Sequence, residues 1–291
     1  MRLKCLYMLK QSVVSTTLDI QSVKATLSFI VQLIRQVPMH QQDLKWLTKR
    51  PIAHRGFHNK YNGIVENCTQ AFEKAIAHDF SIELDVQITS DGKAAVFHDY
   101  SLDRLTNGSG RVDEHSLAAL SSIAFKHGSD RITELSDLLV QVAGKVALIV
   151  ELKTPKVADG RLEKAVADAV HGYDGPLALM SFSPAIVQNL IPMTKRPRGI
   201  VSCNYFRDEI GHDLSDENRY QATHLLHAKH SQPNFISYCI EDFPTPSVDV
   251  FKTVYDMPSI CWTTKSAESH IHALKYCDQV TFEGYNPDEV T

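Results

Sequence analysis

No stretch of this chain approaches the roughly 20 apolar residues a membrane-crossing helix requires, so the sequence offers no transmembrane segment. An excess of one charge sign is also missing. Thirty Lys and Arg against 34 Asp and Glu leave a formal charge of −4. That removes the basic footprint of a nucleic-acid binder and the like-charge blocks of a disordered tail. The six cysteines (Cys5, Cys68, Cys203, Cys239, Cys261 and Cys277) form no C-x-x-C pair. Neither a zinc ribbon nor a thioredoxin-type motif is available, and a reducing compartment, the cytoplasm, is the simplest setting. Absent too are G-x-G-x-x-G and G-x-x-x-x-G-K-[ST], which sets aside the nucleotide-binding α/β folds.

What is present is the profile of a soluble globular enzyme, with 43% hydrophobic and 22% charged residues. The 291 residues suit two ordinary domains or one large barrel, and barrels of the (β/α)8 type run to about 250 residues. Residues 1–46 read differently from the remainder. The first 20 carry Arg2, Lys4 and Lys10, and their apolar run is broken at Lys10 and Gln11, which makes a poor signal peptide. Leu27, Ile30, Val31, Leu33 and Ile34 fit one face of an amphipathic helix. Three readings stand for this extension: a segment packed on the barrel, a membrane-surface or dimer helix, or a leader to a folded part that begins at Met39.

From position 50 onward, short β-branched runs alternate with longer helical patterns. Strands are expected at 51–54, 81–85, 146–152, 177–181, 199–203, 234–238, 259–262 and 279–282. Helices are expected near 69–78, 134–142, 161–171, 184–191, 217–228, 247–255 and 267–276. Eight strands separated by helices predict a TIM-like (β/α)8 barrel over 47–291, with a doubly wound open sheet as runner-up.

One connection breaks the pattern. Strand-like residues on either side of Ser90-Asp91-Gly92 leave no room for a helix, and Asp-Gly marks a turn. The second strand should run out past the rim and return, bringing His98 level with Glu83 and Asp85. The polar stretch of about 99–130 then reads as a small inserted lobe over the mouth, where loops usually touch ligand.

Glu83 and Asp85 are two apart on a strand and share a face; Glu151 and Lys153 repeat the spacing. All four fall near carboxyl ends of strands, where barrel active sites lie. Three carboxylates converging there need a cation, and a hard, oxygen-preferring divalent ion, Mg²⁺ or Ca²⁺, satisfies them. A single acidic residue is ordinarily a surface ion pair, but these three sit in apolar strand contexts where unpaired carboxylates are rare. His54-Arg55-Gly56 ends the first strand. Arg55 offers a fork for phosphate oxygens, and Gly56 permits a tight turn. His54 and His98 beside the carboxylates make an acid/base pair. Most of the other histidines are read as structural. Asn67, just before a helical pattern, suits an N-cap.

The ordered set His54-Arg55-Gly56, Glu66-Asn67, Glu83-Leu84-Asp85-Val86, Asp91-Gly92, Val96-Phe97-His98-Asp99 and Glu151-Leu152-Lys153 resembles the glycerophosphodiester phosphodiesterase family. The match covers roughly residues 50 to 155 and continues more weakly through Ser181-Phe182-Ser183-Pro184 and Trp262-Thr263. The resemblance implies a divalent ion held by Glu83, Asp85 and Glu151. It implies acid/base roles for His54 and His98, and phosphate contacts from Arg55 and Lys153. Glu66 would lie near the metal or brace the site, and Trp262 would stack on a head group or pack in the core. The implied substrate is a small glycerophosphodiester, with glycerol 3-phosphate and an alcohol as products. Lysophospholipase D-like, sphingomyelinase D-like and sugar-phosphodiester (opine-type) activities share the motif set. A binding protein that lost catalysis is the non-enzyme alternative, and the full set of His54, Glu83, Asp85, His98 and Glu151 argues against it. Two departures, Val65 where the family often has Pro and Thr264-Lys265 where it commonly has Val-Asn, fall on the rim loops.

Overall fold

The structure, a computed structural model, describes residues 43–155, 158–207, 211 and 213–290. The helix and the alternative start expected within 1–42 lie outside the described residues.

Nine strands follow one another: β1 Ile52–Ala53, β2 Ser81–Ile88, β3 Ala94–Val96, β4 Leu148–Leu152, β5 Leu177–Ser181, β6 Arg198–Ser202, β7 Phe235–Cys239, β8 Ser259–Thr264 and β9 Gln279–Phe282. Eight of them pair in parallel, in the order β1-β9-β8-β7-β6-β5-β4-β2, and β1 pairs with β2 to close the ring. Ile52 is opposite Ser81 on one side and Thr281 on the other, so a strand of two residues joins both edges. The expected barrel is the observed architecture, and the open-sheet alternative is set aside by that closure.

The strands read as unbroken apolar runs because both faces are covered. On β2, Ile82, Leu84 and Val86 pack outward with Phe72 of α1 (Thr69–Ala77) and Leu138 of α3 (Leu135–Val142). The alternate residues Glu83, Asp85 and Gln87 therefore face the barrel axis, and all eight β2 residues are buried. Inside, Ile52, Ile149, Ala178, Met180, Val201, Phe235 and Ile260 form a separate cluster. The 3-10 turn Lys45–Thr48 precedes β1 and delivers Leu44 and Leu47 to this cluster, so it stoppers the amino-terminal end of the tube. The described cysteines are all buried. Among the described residues no helix is long and apolar enough to cross a membrane.

The hairpin expected from Asp91-Gly92 is present. β3 runs antiparallel on β2 with Val96 opposite Val86, and the Phe97 N–H donates to the Asp85 carbonyl at 3.0 Å. The stretch that follows includes α2 (Leu117–Ser122) and has its own small core. There Phe97, Leu102, Val112, Leu120 and Phe125 pack with Val65 and Cys68.

The remaining helices are α4 Arg161–Ala169, α5 Pro184–Asn189, α6 Asp216–Thr223, α7 Ala228–Ser231, α8 Pro246–Tyr255 and α9 Ala267–Ala273. The single helix expected over 217–228 is two. Leu225 adopts φ 56° and breaks the helix, while its side chain is buried to 1% exposure in the outer core. Burial of that leucine overrides the local helical preference, which periodicity alone does not register.

Gly56 shows why the first strand ends as it does. Its φ is +81°, and a Cβ there would lie 2.9 Å from the Ala71 backbone in α1. Gly56→Ala is expected to destabilise the protein by about 1–3 kcal/mol, read as a lower urea midpoint. An unchanged midpoint would mean that loop and helix can part freely.

Candidate active site

The carboxyl ends of the strands open into a cavity of about 900 Å³ whose walls include His54, Arg55, Glu83, His98, Glu151, Lys153 and Trp262. Glu83, Asp85 and Glu151 each offer an oxygen within 4.8 Å of the other two. Oxygens on opposite sides of a Ca²⁺ ion, each 2.3–2.6 Å from it, stand about 4.6–5.2 Å apart, so the spacing fits a hard cation. The electrostatics agree. Burial, with the charges of Asp85 and Glu151, pushes Glu83 well above the usual carboxylate range. Burial pushes Glu151 up as well, opposed by Lys153. Asp85 goes the other way: burial would raise it, but Lys153, His98 and Arg55 together hold it low. Three buried carboxylates that resist joint ionisation, offering only oxygen donors, form a candidate site for a divalent cation.

Two basic side chains flank the trio. Lys153 Nζ lies 3.0 Å from Glu151 and 3.6 Å from Asp85. The Arg55 backbone N–H donates to Glu83 at 3.1 Å, with Arg55 itself at φ 56°. Its guanidinium donates to Glu66 at 2.6 Å and faces Asp85 at 3.3 Å.

Each histidine carries a carboxylate on Nδ1. His54 Nδ1–H donates to Glu283 at 2.8 Å, and His98 Nδ1–H donates to Asp99 at 2.7 Å. A carboxylate can only accept, so both rings hold their proton on Nδ1 and keep Nε2 open. His54 Nε2 is 3.9 Å from Glu83. Burial lowers the His54 pKa despite the Glu283 bond, and that same bond holds Glu283 down to about 2.

Asp99 is fixed in turn by the fork of Arg104, which donates to it at 2.9 Å and to Glu66 at 2.8 and 3.0 Å. Glu66 is therefore shared between Arg55 and Arg104, and one ionic chain runs from His98 to Asp85. The Gln87 side-chain amide, buried on β2, reaches the carbonyls of Phe97 and His98 at 3.2 and 3.1 Å, and that of Asp99. It clamps the segment that presents His98.

The expected helix-capping role of Asn67 is not what the structure shows. Cys68 occupies the cap position of α1, without a side-chain bond. Asn67, at φ 54°, instead donates from Nδ2 to Asp85 at 2.9 Å and accepts the Asp85 N–H at 3.3 Å. Turning the side chain toward a buried carboxylate outweighs a cap that water can supply. Trp262 lies in the cavity wall, its ring edge-on to Phe182 at 5.4 Å, and joins the interior cluster.

Glu283, Arg104 and Gln87 escaped the sequence reading. Glu283 immediately follows β9, so the rule that strand carboxyl ends carry chemistry could have found it. Arg104 has no local pattern to mark it.

The same motifs bring relatives. The model of the glycerophosphoryl diester phosphodiesterase family matches residues 54–230. The chain belongs to that family. A glycerophosphodiester phosphodiesterase of Caldanaerobacter subterraneus is 34% identical over 131 residues, covering 42% of this chain and 53% of the relative. One from Bacillus subtilis is 31% identical over 156 residues, covering 45% and 52%. The chain thus spans about half the length of the curated relatives it matches. Among solved structures, an Oleispira antarctica phosphodiesterase in complex with the product sn-glycerol-3-phosphate superposes with a TM-score of 0.65. It is 19% identical and covers 82% of this chain and 94% of its own. The Thermotoga maritima glycerophosphodiester phosphodiesterase superposes with a TM-score of 0.61, at 19% identity, covering 80% and 94%. At these identities the structures speak for the barrel, and the family model for the membership.

Proposed function

We propose that this chain hydrolyses glycerophosphodiesters to glycerol 3-phosphate and an alcohol, with His54 and His98 as the acid/base pair. The observation that carries the reading is the pair of Nε2 atoms, each left open by a carboxylate on Nδ1, beside the buried acidic trio. Membership of the family and the product-bound Oleispira relative support it.

Glu83, Asp85 and Glu151 would hold Mg²⁺ or Ca²⁺, which when bound polarises a phosphoryl oxygen. Arg55 and Lys153 offset the negative charge that builds on the remaining oxygens. One imidazole takes the proton from the nucleophile, either water or the substrate's own glycerol hydroxyl. The other gives a proton to the departing alkoxide. Glu283 and Asp99 hold the rings and stabilise each imidazolium as it forms.

A lipid substrate is the second reading. It is favoured by the apolar and aromatic wall of Met180, Phe182, Tyr205, Leu214 and Trp262.

Incubation with glycerophosphocholine, glycerophosphoethanolamine and micellar lysophospholipid, followed by assays for glycerol 3-phosphate, lysophosphatidic acid, the free alcohol and phosphocholine, separates the two. Glycerol 3-phosphate release from the water-soluble diesters is expected. Turnover of lysophospholipid alone favours the lipid reading, and phosphocholine as the product overturns the assigned bond cleavage.

A further inference from the structure

From Gly175 to Arg207, and again from Asn218 to Ile240, the chain contains no Asp or Glu, although acidic residues outnumber Lys and Arg overall. The two stretches meet in space. β6 pairs with β7, and the Arg198 N–H donates to the Asn234 side chain at 2.8 Å. Loops that lead into parallel strands lie at the amino-terminal end of a barrel. The segments 190–197, ahead of β6, and 224–234, ahead of β7, therefore share the end opposite the cavity mouth. They bring Lys195, Arg196 and Lys229 there, next to Arg198 at the start of β6.

Arg198 registers the missing acid. It is 6% exposed, its guanidinium donates to the Gln232 carbonyl at 3.3 Å, and its buried Nε has no hydrogen-bond partner. Burial lowers its pKa with no carboxylate to oppose the shift, whereas a buried arginine is ordinarily paired. The flanking loops into β5 and β8 contribute only Asp174 and Asp256, so the end stays positive beneath β6 and β7. Aliphatic side chains stand among these cations. Ile191, Met193 and Leu226 are 37%, 43% and 50% exposed. A groove of about 730 Å³, lined by Val170, His171, Ile191, Met193 and Lys195, opens on the same side.

We propose that the amino-terminal end of the barrel, beneath β6 and β7, is a docking surface for the anionic head groups of a lipid bilayer. Lys and Arg draw the head groups in, and the exposed aliphatic side chains leave water for the boundary of the acyl chains. A nucleic acid would meet the same cations, but these apolar side chains are aliphatic and offer no ring on which a base could stack. The surface lies opposite the mouth, so a docked barrel opens toward water and takes its substrate from there.

The test is sedimentation of the full chain with vesicles of phosphatidylcholine, and with vesicles of equal parts phosphatidylcholine and phosphatidylglycerol. Binding to the anionic vesicles is expected, with little to the neutral ones, and added salt should weaken it. Lys195→Gln together with Lys229→Gln is expected to lower the vesicle partition coefficient by about 30-fold, roughly fivefold for each charge. Ile191→Ser together with Met193→Ser should lower it several-fold, and a melt close to wild type would show that the fold is kept in both. Wild-type protein that ignores the anionic vesicles, or binds both kinds equally, overturns the inference. So does anionic binding undiminished in both double variants, or a preference for poly-glutamate or duplex DNA over the vesicles. None of these readouts involves turnover, so the proposed reaction stands or falls separately.

Discussion

Alanine at either His54 or His98 is expected to lower kcat by roughly 10²–10⁴-fold, the usual worth of a positioned general acid or base. Neither ring is part of an apolar cluster, and their side chains are 16% and 28% exposed. The fold should therefore survive, with a circular dichroism melt close to wild type. The two losses should not multiply in the double variant, because the imidazoles serve one proton relay. Gln at Glu283 supplies the control. It keeps the shape but loses the charge that holds the His54 ring, so it should cost less than removing the ring. If both alanine variants keep turnover within a few-fold of wild type, the acid/base assignment is wrong.

The second large effect concerns the cation. Wild-type protein at a hundred times the dissociation constant of Mg²⁺ or Ca²⁺ should gain about 2.7 kcal/mol. For a protein of this size that is a rise in Tm of roughly 5–10 °C. Glu83→Gln and Glu151→Gln should abolish that rise, and EDTA should abolish turnover. The same substitutions should leave the cation-free protein no less stable than wild type, because each removes a carboxylate that burial already pushes up. A Tm indifferent to both ions in wild type, or raised equally in the variants, would remove the trio from the mechanism.

The barrel was legible because its strands are apolar runs with helical stretches between them, and because Asp91-Gly92 left room only for a turn. The acidic trio was legible because alternation along a strand is local: Glu83 and Asp85 must share a face wherever the strand lies. What could not be read depends on distance along the chain. Glu283 reaches His54 across 229 positions. Asn67 looks like a cap until β2 is set beside it, and Leu225 breaks a helix for the sake of a core that sequence periodicity does not contain. Gln87 has the spacing of Glu83 and Asp85, yet its task is structural, to hold the backbone that carries His98.

Among the described residues, the stopper made by Leu44 and Leu47 closes the amino-terminal end of the barrel, and the reaction chamber has its doorway at the carboxyl ends of the strands. Under the proposed reaction, incoming diester and both departing fragments share that passage. The fragment seated deeper must wait for the shallower one to leave. Its departure would then pace the cycle once substrate is plentiful, and its accumulation would slow the enzyme by occupying the place the next diester needs.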